Sequence, residues 1–395
     1  MSSSPASVIP NPHSAKALSS ARRATRAQFA ALGTLAGTWG AHVPSVKLHY
    51  VLGEAMLSTV LLAAAVGAVA SLFAAGRIVA RLGARKTAMV AACVMCAVLG
   101  VVLMLPNLAV LLPLMMLFGA AMSVFDVAIN TEGSELETLS GRAIMSNLHG
   151  MFSVGGMVGA GVASVLLRAG IAPALQLALV CAAVAAFAVV SARGMLDTHV
   201  AQAADASEKA HFAWPRGLLL VLGLLIFAGM TAEGVMYDWS VLYLKQDIGM
   251  PQAQAALGYA TFAAAMALAR FGGDALRARY SERALLGAGA ALSATAMAVV
   301  LLSANAWIAL VGFALVGAGL APVAPILFNA ATRVPGVSRA AAIASVTSIG
   351  YSGFMVGPPL IGGIAQNSSL TAALGVVVLA AVMLALGARY VPDKA

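Results

Sequence analysis

Charged side chains are scarce in this sequence. Asp, Glu, Lys and Arg make up 9% of its 395 residues, against about a quarter in a soluble domain, too few to cover a surface facing water. Cysteine is scarcer still, with only Cys93, Cys96 and Cys181. Cys93 and Cys96 have the spacing of half a metal site or of a redox pair, but no second pair completes a tetrahedral set. No metal centre is expected, and all three are read as small polarizable packing residues. A phosphate-binding glycine loop ending in Lys-Ser/Thr is missing, and so is a His-Glu-x-x-His helix. ATP-driven work and intramembrane metalloenzyme chemistry are therefore not expected. No nucleophile–base cluster is visible, so the chain is expected to be no enzyme and to carry no cofactor.

What fills the sequence instead is apolar. Hydrophobic residues are 61% of the chain and the mean hydropathy is +0.94. That is roughly 240 residues, enough for about twelve membrane-spanning helices of ~20 residues each. A single soluble core stops growing near about 250–300 residues and could not absorb it. The apolar runs lie at roughly 27–46, 55–75, 87–105, 108–130, 144–167, 172–192, 216–237, 255–273, 285–303, 306–329, 341–362 and 370–388. They are unbroken, which excludes the ten-residue alternation of a β-barrel. The first 26 residues are polar and rich in Ser, Ala and Pro, without the apolar centre of a signal peptide, so the first helix is expected to be an uncleaved anchor. The fold class is all-α and integral to the membrane.

The basic residues set the orientation. Of 23 Lys and Arg, Lys47, Arg168 and Lys245 fall on one side and Arg270 within a span. The remaining nineteen fall in the tails and in the loops of the other side. Positive charge marks the cytoplasmic face, so both termini are expected there, in a multi-pass protein of a bacterial inner membrane. The net charge of +9 is thus a topology signal. Scattered over short loops with no continuous stripe, it does not point to nucleic acid.

A shift of about 198 residues lays the sequence on itself. Arg81 meets Arg279, Arg85 meets Arg283, Gly155 meets Gly353 and Gly159 meets Gly357, while Asn130 falls one residue from Asn329. The chain divides into a cytoplasmic tail (1–26), a six-helix half (27–192), a cytoplasmic linker (193–215), a second six-helix half (216–388) and a short tail (389–395). The linker holds Asp197, Asp205, Glu208 and Lys209. Parallel six-helix halves with a substrate site between them are a recurring transporter design.

The loop after the second span reads Gly76-Arg77-Ile78-Val79-Ala80-Arg81-Leu82-Gly83-Ala84-Arg85-Lys86. It resembles the cytoplasmic signature of the major facilitator superfamily. Gly76, Arg81, Gly83, Arg85 and Lys86 match, and Ala80 stands where the family has an aspartate. In the family this loop holds the cytoplasmic gate shut through charge pairs, and the missing acid removes one arm of that lock. The copy around Gly273, Arg279 and Arg283 is degenerate. A narrower resemblance is carried by Asp126-Val127-Ala128-Ile129-Asn130 with Glu137, Arg142 and Ser146-Asn147-Leu148-His149-Gly150-Met151-Phe152-Ser153, and by Glu233-Gly234 with Asp238-Trp239-Ser240 and Tyr243-Leu244. These residues look like a largely uncharacterised bacterial inner-membrane branch distantly allied to the fucose permeases. The resemblance implies two pseudo-repeated six-helix bundles, a path lined by helices 1, 2, 4, 5, 7, 8, 10 and 11, and alternating access.

An ionisable group inside a span costs about 2.5–3.5 kcal/mol, so it faces a cavity or a partner. Asp126 lies roughly 10 Å inward of the middle of the fourth span at 1.5 Å per residue, with Asn130 one turn away and His149 at a similar depth on the fifth. Asp126 and His149 suit proton exchange during transport. Alternatively, Asp126, Glu132, Glu135 and Glu137 form a cytoplasmic gate with Arg81 and Arg85. Glu233, with Tyr237 one turn on, is either a cavity residue and proton-coupling candidate or a structural partner. Arg270 and Asp274 are spaced for a local ion pair, and Asp238 and Trp239 are placed at the membrane interface. Trp39 either stacks on a solute or anchors the first helix, near His42. Asn130, Asn329 and Tyr351 complete the cavity candidates. Gly155 and Gly159, repeated by Gly353 and Gly357, give the small-xxx-small spacing of close helix contacts and are read as either static packing or a rocking interface. Pro322 and Pro325 suggest a bent tenth span.

The expected function is secondary active transport of a small organic solute, coupled to protons, by a monomer in a lipid bilayer. Uptake and drug or metabolite efflux by proton antiport both remain open. So does a non-transporting sensor or assembly factor on the same fold.

Overall fold

Leucine, alanine and valine runs, interrupted by Asn, Ser and Gly at their ends, dictate a succession of long helices. The computed structural model describes residues 15–142, 144–196 and 216–392. The helices are α1 (Ala15–His49), α2 (Glu54–Leu82), α3 (Ala84–Val101), α4 (Leu108–Ser140), α5 (Met145–Arg168), α6 (Pro173–Ala192), α7 (Leu218–Gln246), α8 (Gln252–Arg279), α9 (Glu282–Ser303), α10 (Ala306–Leu320), α11 (Val323–Ala331), α12 (Arg339–Asn367) and α13 (Leu370–Gly387). Asp197, Asp205, Glu208 and Lys209 of the linker lie outside the described residues, as do the first fourteen residues and the last three.

Helix ends follow capping chemistry. The side chain of Asn107 accepts from the Val110 N–H (3.1 Å), that of Ser281 from Ala284 (3.2 Å) and that of Asn305 from Trp307 (2.9 Å). Each satisfies an orphan donor of a first turn. Among the described residues, ten spans are long and apolar enough to cross a membrane, with α10 and α11 forming one of them, broken at Ala321–Pro322. α1 and α12 bring the number of long spans to twelve; they hold the polar and small residues that pack against α5 and α7.

Several helices outrun their apolar cores. α1 starts at Ala15, inside the segment expected to be a polar tail, because Ala-rich sequence favours helix and Ala21 and Thr25 are buried. α7 runs on to Gln246, so Trp239 is fully buried inside the bundle rather than at an interface.

Two six-helix bundles, α1–α6 and α7–α13, repeat one packing device. A Cβ built on Gly119 of α4 would strike the Ala64 carbonyl of α2, and one on Gly317 of α10 the Phe262 carbonyl of α8. Both glycines and both partners are related by the 198-residue shift. Gly155 of α5 likewise meets the Ala30 carbonyl of α1. Its repeat Gly353 of α12 meets the Phe227 carbonyl of α7, at 2.7 Å from a built Cβ. Backbones this close admit only glycine. Gly159 packs on Thr34 in the same way, whereas Gly357 has nothing nearer than Val235 at 3.9 Å. These contacts lie within a half. The rocking-interface reading of Gly155 and Gly353 is therefore corrected: each pair fixes a bundle and does not slide between bundles.

Gly155→Ala should accordingly lower the thermal unfolding midpoint in detergent. The added methyl meets backbone, and overpacking costs about 1–3 kcal/mol. Gly161→Ala on the same helix, with open space around it, should leave the midpoint unchanged or raise it by the equivalent of about 0.4–1 kcal/mol. Equal midpoints for the two variants would contradict the close crossing of α1 and α5.

Candidate functional site

A cavity of about 280 Å³ lies between the two bundles, walled by α1, α2, α4 and α5 on one side and by α7, α8 and α12 on the other. Neither α10 nor α11 contributes a lining residue, a departure from the expected set of path-lining spans. The α2 wall is Leu61, Ala64, Ala65, Ala68 and Leu72, a stripe at helical spacing whose small members leave the space. Rings close much of the rest: Trp39 packs on Phe118 with centroids 5.7 Å apart, and Tyr237 on Tyr259 at 5.1 Å.

Three carboxylates line this space: Asp126, Glu233 and Asp238. Glu233 is paired, its Oε1 accepting from Arg270 Nη2 at 3.1 Å, while Nη1 of the same guanidinium donates to Ser153 Oγ at 2.9 Å. Arg270 thus ties α8 to α7 within its own half and to α5 in the other. The local Arg270–Asp274 pair expected from spacing falls on a side chain outside those described. Asp126 is held on its own helix, where Asn130 Nδ2 donates to its Oδ1 and to its carbonyl, both at 2.9 Å. Across the cavity its charge faces Tyr351 of the other half.

Of the candidates read from sequence, Trp39, Asp126, Glu233, Tyr237 and Tyr351 share the cavity. Asn130 acts behind Asp126. His42 is fully buried away from the lining. His149 packs edge-on against Phe29 at 5.4 Å and does not line the cavity. Asn329 lies at the end of the bundle near the inter-half link, donating to Glu282 Oε1 at 2.9 Å; its near-coincidence with Asn130 under the shift does not make it a cavity residue. Asp238, expected at the interface, lines the cavity. Its signal was present: Glu233, Gly234, Tyr237 and Asp238 fall at i, i+1, i+4 and i+5, one face of α7. Phe118, Tyr259 and Phe354 also line it and had no charge or motif to mark them, whereas Phe152, another lining residue, lies within the Ser146–Ser153 motif but is not among those candidates.

The gate acids work inside the first bundle. Glu132 Oε1 accepts the Leu196 N–H just after α6 at 2.7 Å, with Arg85 and Glu135 within electrostatic reach, and Glu137 Oε1 accepts the Ile144 N–H at 2.8 Å. The second bundle mirrors this clasp with its charges exchanged. Glu282 at the start of α9 binds Arg333 after α11 at 2.5 Å, and Arg283 donates to the Val391 carbonyl after α13 at 3.1 Å. Arg81 is exposed and Gly76 has open space around it. Gly83 turns the chain between α2 and α3 at φ 82°, and Ala84, Arg85 and Lys86 open α3.

The cavity is shut at the end opposite the inter-half link. There Gln252 Nε2 of α8 donates to Ser45 Oγ (2.7 Å) and to the Ala41 carbonyl (3.2 Å) of α1. Ser164 Oγ of α5 donates to the Ala253 carbonyl (2.5 Å), and a Cβ on Gly362 of α12 would strike Ser58 of α2. Near the link, among the described residues, Ser146 Oγ to the Arg270 carbonyl (3.1 Å) joins the bundles.

Residues 219–395 match the family model described as Major Facilitator Superfamily. An uncharacterized MFS-type transporter of Yersinia pestis is 35% identical over 367 residues, covering 93% of this chain and 94% of that protein. Among solved structures, a D-xylose-proton symporter superposes with a TM-score of 0.75 at 14% identity, over 95% of this chain and 98% of that one. FucP in its outward conformation superposes at 0.63 and 14%, over 94% and 99%. Relatedness along nearly the whole length, in twelve spans forming two bundles, decides the family: the chain belongs to the major facilitator superfamily.

Proposed function

We propose that this chain is a secondary active transporter, carrying a small organic solute by alternating access with protons as the coupling ion. The observation that carries the reading is the acid-bearing cavity between two repeated bundles, closed at one end by bonds that cross from bundle to bundle. Such a site passes from one side of a membrane to the other when the bundles rock about it. Each bundle supplies walls to the same cavity, so one chain contains the whole path and acts as a monomer.

The basic residues put the inter-half link, both termini and the α2–α3 turn in the cytoplasm of a bacterial inner membrane. With that orientation the sealed end is external, and the molecule is in an inward-facing state. Asp126 is the proton-coupling residue. It lies in the cytoplasmic half of α4, it has no cation bound to it among the described side chains, and its neutral partner Asn130 suits either protonation state. Glu233 is bound to Arg270 within the second bundle and holds the guanidinium that reaches across to Ser153 of the first. The Glu132, Glu135, Glu137 and Arg85 group acts as an intrabundle clasp on the exit from α6.

Orientation is checked with reporter fusions at Lys209 and at Asp393, both expected to report cytoplasm. A periplasmic signal at either site would reverse the assignment of the sealed end.

Coupling is checked in vesicles, with a solute found by a ligand-stability screen on the purified protein, since a ligand of the folded state raises its melting temperature. Collapse of the proton gradient with an ionophore should abolish accumulation. Asp126→Asn should lose uphill transport and keep solute exchange. Full uphill accumulation by Asp126→Asn would take this residue out of the coupling role.

A further inference from the structure

Asp238 is left over from every pairing above. It lines the cavity in the half of α7 nearer the sealed end. Arg270 is engaged by Glu233 and Ser153, and no cationic side chain among the described residues is paired with Asp238. Its charge is felt by the ring of Tyr259, which together with Tyr237, Trp39 and Phe354 walls the same space. A second observation lies beside it. A side pocket of about 10 Å³ opens at Asp238, lined also by Thr231 and Trp239. Thr231 Oγ1 and Trp239 Nε1 have no hydrogen-bond partner, although Thr231 is 4% exposed and Trp239 not at all. That volume is at the limit for a single water or hydroxyl group, and buried polar groups without partners cost stability unless something fills the site.

A carboxylate without a counter-charge inside a bilayer is costly, and a box of aromatic faces around it attracts cations through their negative π-surfaces. We infer that the transported solute is a small organic amine. Its ammonium group is held by the Asp238 carboxylate against Tyr259 and Tyr237, and a hydroxyl of the solute or a bridging water meets Thr231 and Trp239. This rests on the transport reading above but is independent of which residue takes the proton. A sugar-like neutral solute would leave Asp238 uncompensated, and an anionic one would be repelled by it.

The test uses the purified full-length protein in detergent and two matched sets of probes. The sets are glucosamine, glucose and glucuronate, and phenethylamine, 2-phenylethanol and phenylacetate. At least one amine should raise the unfolding midpoint, with no response to its neutral or acidic counterpart. Asp238→Asn should weaken that amine at least about tenfold, the loss expected for one charge-assisted bond, and Asp238→Glu should recover part of it. The ligand-free Asp238→Asn protein should melt no lower than wild type, because an uncompensated carboxylate has been removed; this readout does not depend on any probe. Response to a neutral or acidic probe without response to its amine, absence of response to both amines, or undiminished amine binding by Asp238→Asn would each overturn the assignment. Amine binding without flux in vesicles would refute the transport reading and leave the site standing. Gradient-driven flux of a neutral solute would do the reverse.

Discussion

An ionised side chain inside a bilayer costs about 2.5–3.5 kcal/mol on insertion scales, and this constraint orders the interior of the molecule. Arg270, deep in the bundle, has both Nη groups of its guanidinium engaged, one donating to the Glu233 carboxylate and the other to the Ser153 hydroxyl. Glu132, almost fully buried near the inter-half link, holds a backbone N–H and sits beside Arg85. Glu282, equally buried, holds Arg333 and Asn329. Of the three acids that line the cavity, Glu233 is paired, while Asp126 and Asp238 have no cation bound among the described residues. The division is physical. Charges that hold the structure together are paired, and charges available to a solute or a proton are left open where one can arrive.

The repeat explains how so few polar groups suffice. With no hydrophobic drive between helices in lipid, association depends on close packing and on hydrogen bonds. Glycine at the crossing of α1 with α5, and again of α7 with α12, lets backbone meet backbone. The crossings α2–α4 and α8–α10 do the same. Each bundle is thereby held by van der Waals contact. At the end near the link each is also tied by an acid–base clasp on the segment that leaves its last helix, through Glu132 to Leu196 in one and Arg283 to Val391 in the other. Rigid bundles can then rotate as units, because the contacts that fix them do not cross the cavity.

Class, span number and the two-fold repeat were legible from sequence because they depend on sums over many residues: the apolar runs, the bias of Lys and Arg, and the 198-residue shift. Individual partners were not. Spacing on one helix points from Arg270 only to Asp274, yet in a bundle the neighbouring helices are as close as the next turn, and the guanidinium reaches Glu233 on α7 and Ser153 on α5. Asp238 was misplaced because α7 continues well past its apolar core, to Gln246, drawing the acid and Trp239 into the bundle. The shift aligned Asn130 with Asn329, but one residue out of register turns a side chain about 100° on a helix, and the break at Ala321–Pro322 separates α11 from α10. Most of the aromatic walls were invisible for a simpler reason: Phe118 and Phe354 are ordinary apolar residues in a span, and only the third dimension shows which of them meet across a gap.

The two ends of the cavity differ in chemistry as well as in packing. At the sealed end the bundles are joined by neutral groups, Gln252 to Ser45 and Ala41, and Ser164 to Ala253. Such bonds are worth about 0.5–1.5 kcal/mol each once exchange with water is counted. They release when water enters, so the seal can break without exposing a bare charge to lipid. Arg270 reaches from the second bundle to Ser153 of the first at the level of the cavity, while its ion pair to Glu233 stays within the second bundle. In the proposed alternating-access cycle, rocking of the bundles would exchange the hydroxyl contact for water while the charge remained compensated throughout. With Arg270 neutralised inside its own bundle, the proposed alternation would cost little in exposed charge, and in that proposal Asp126 and Asp238 are the groups whose occupancy biases the equilibrium between the two states.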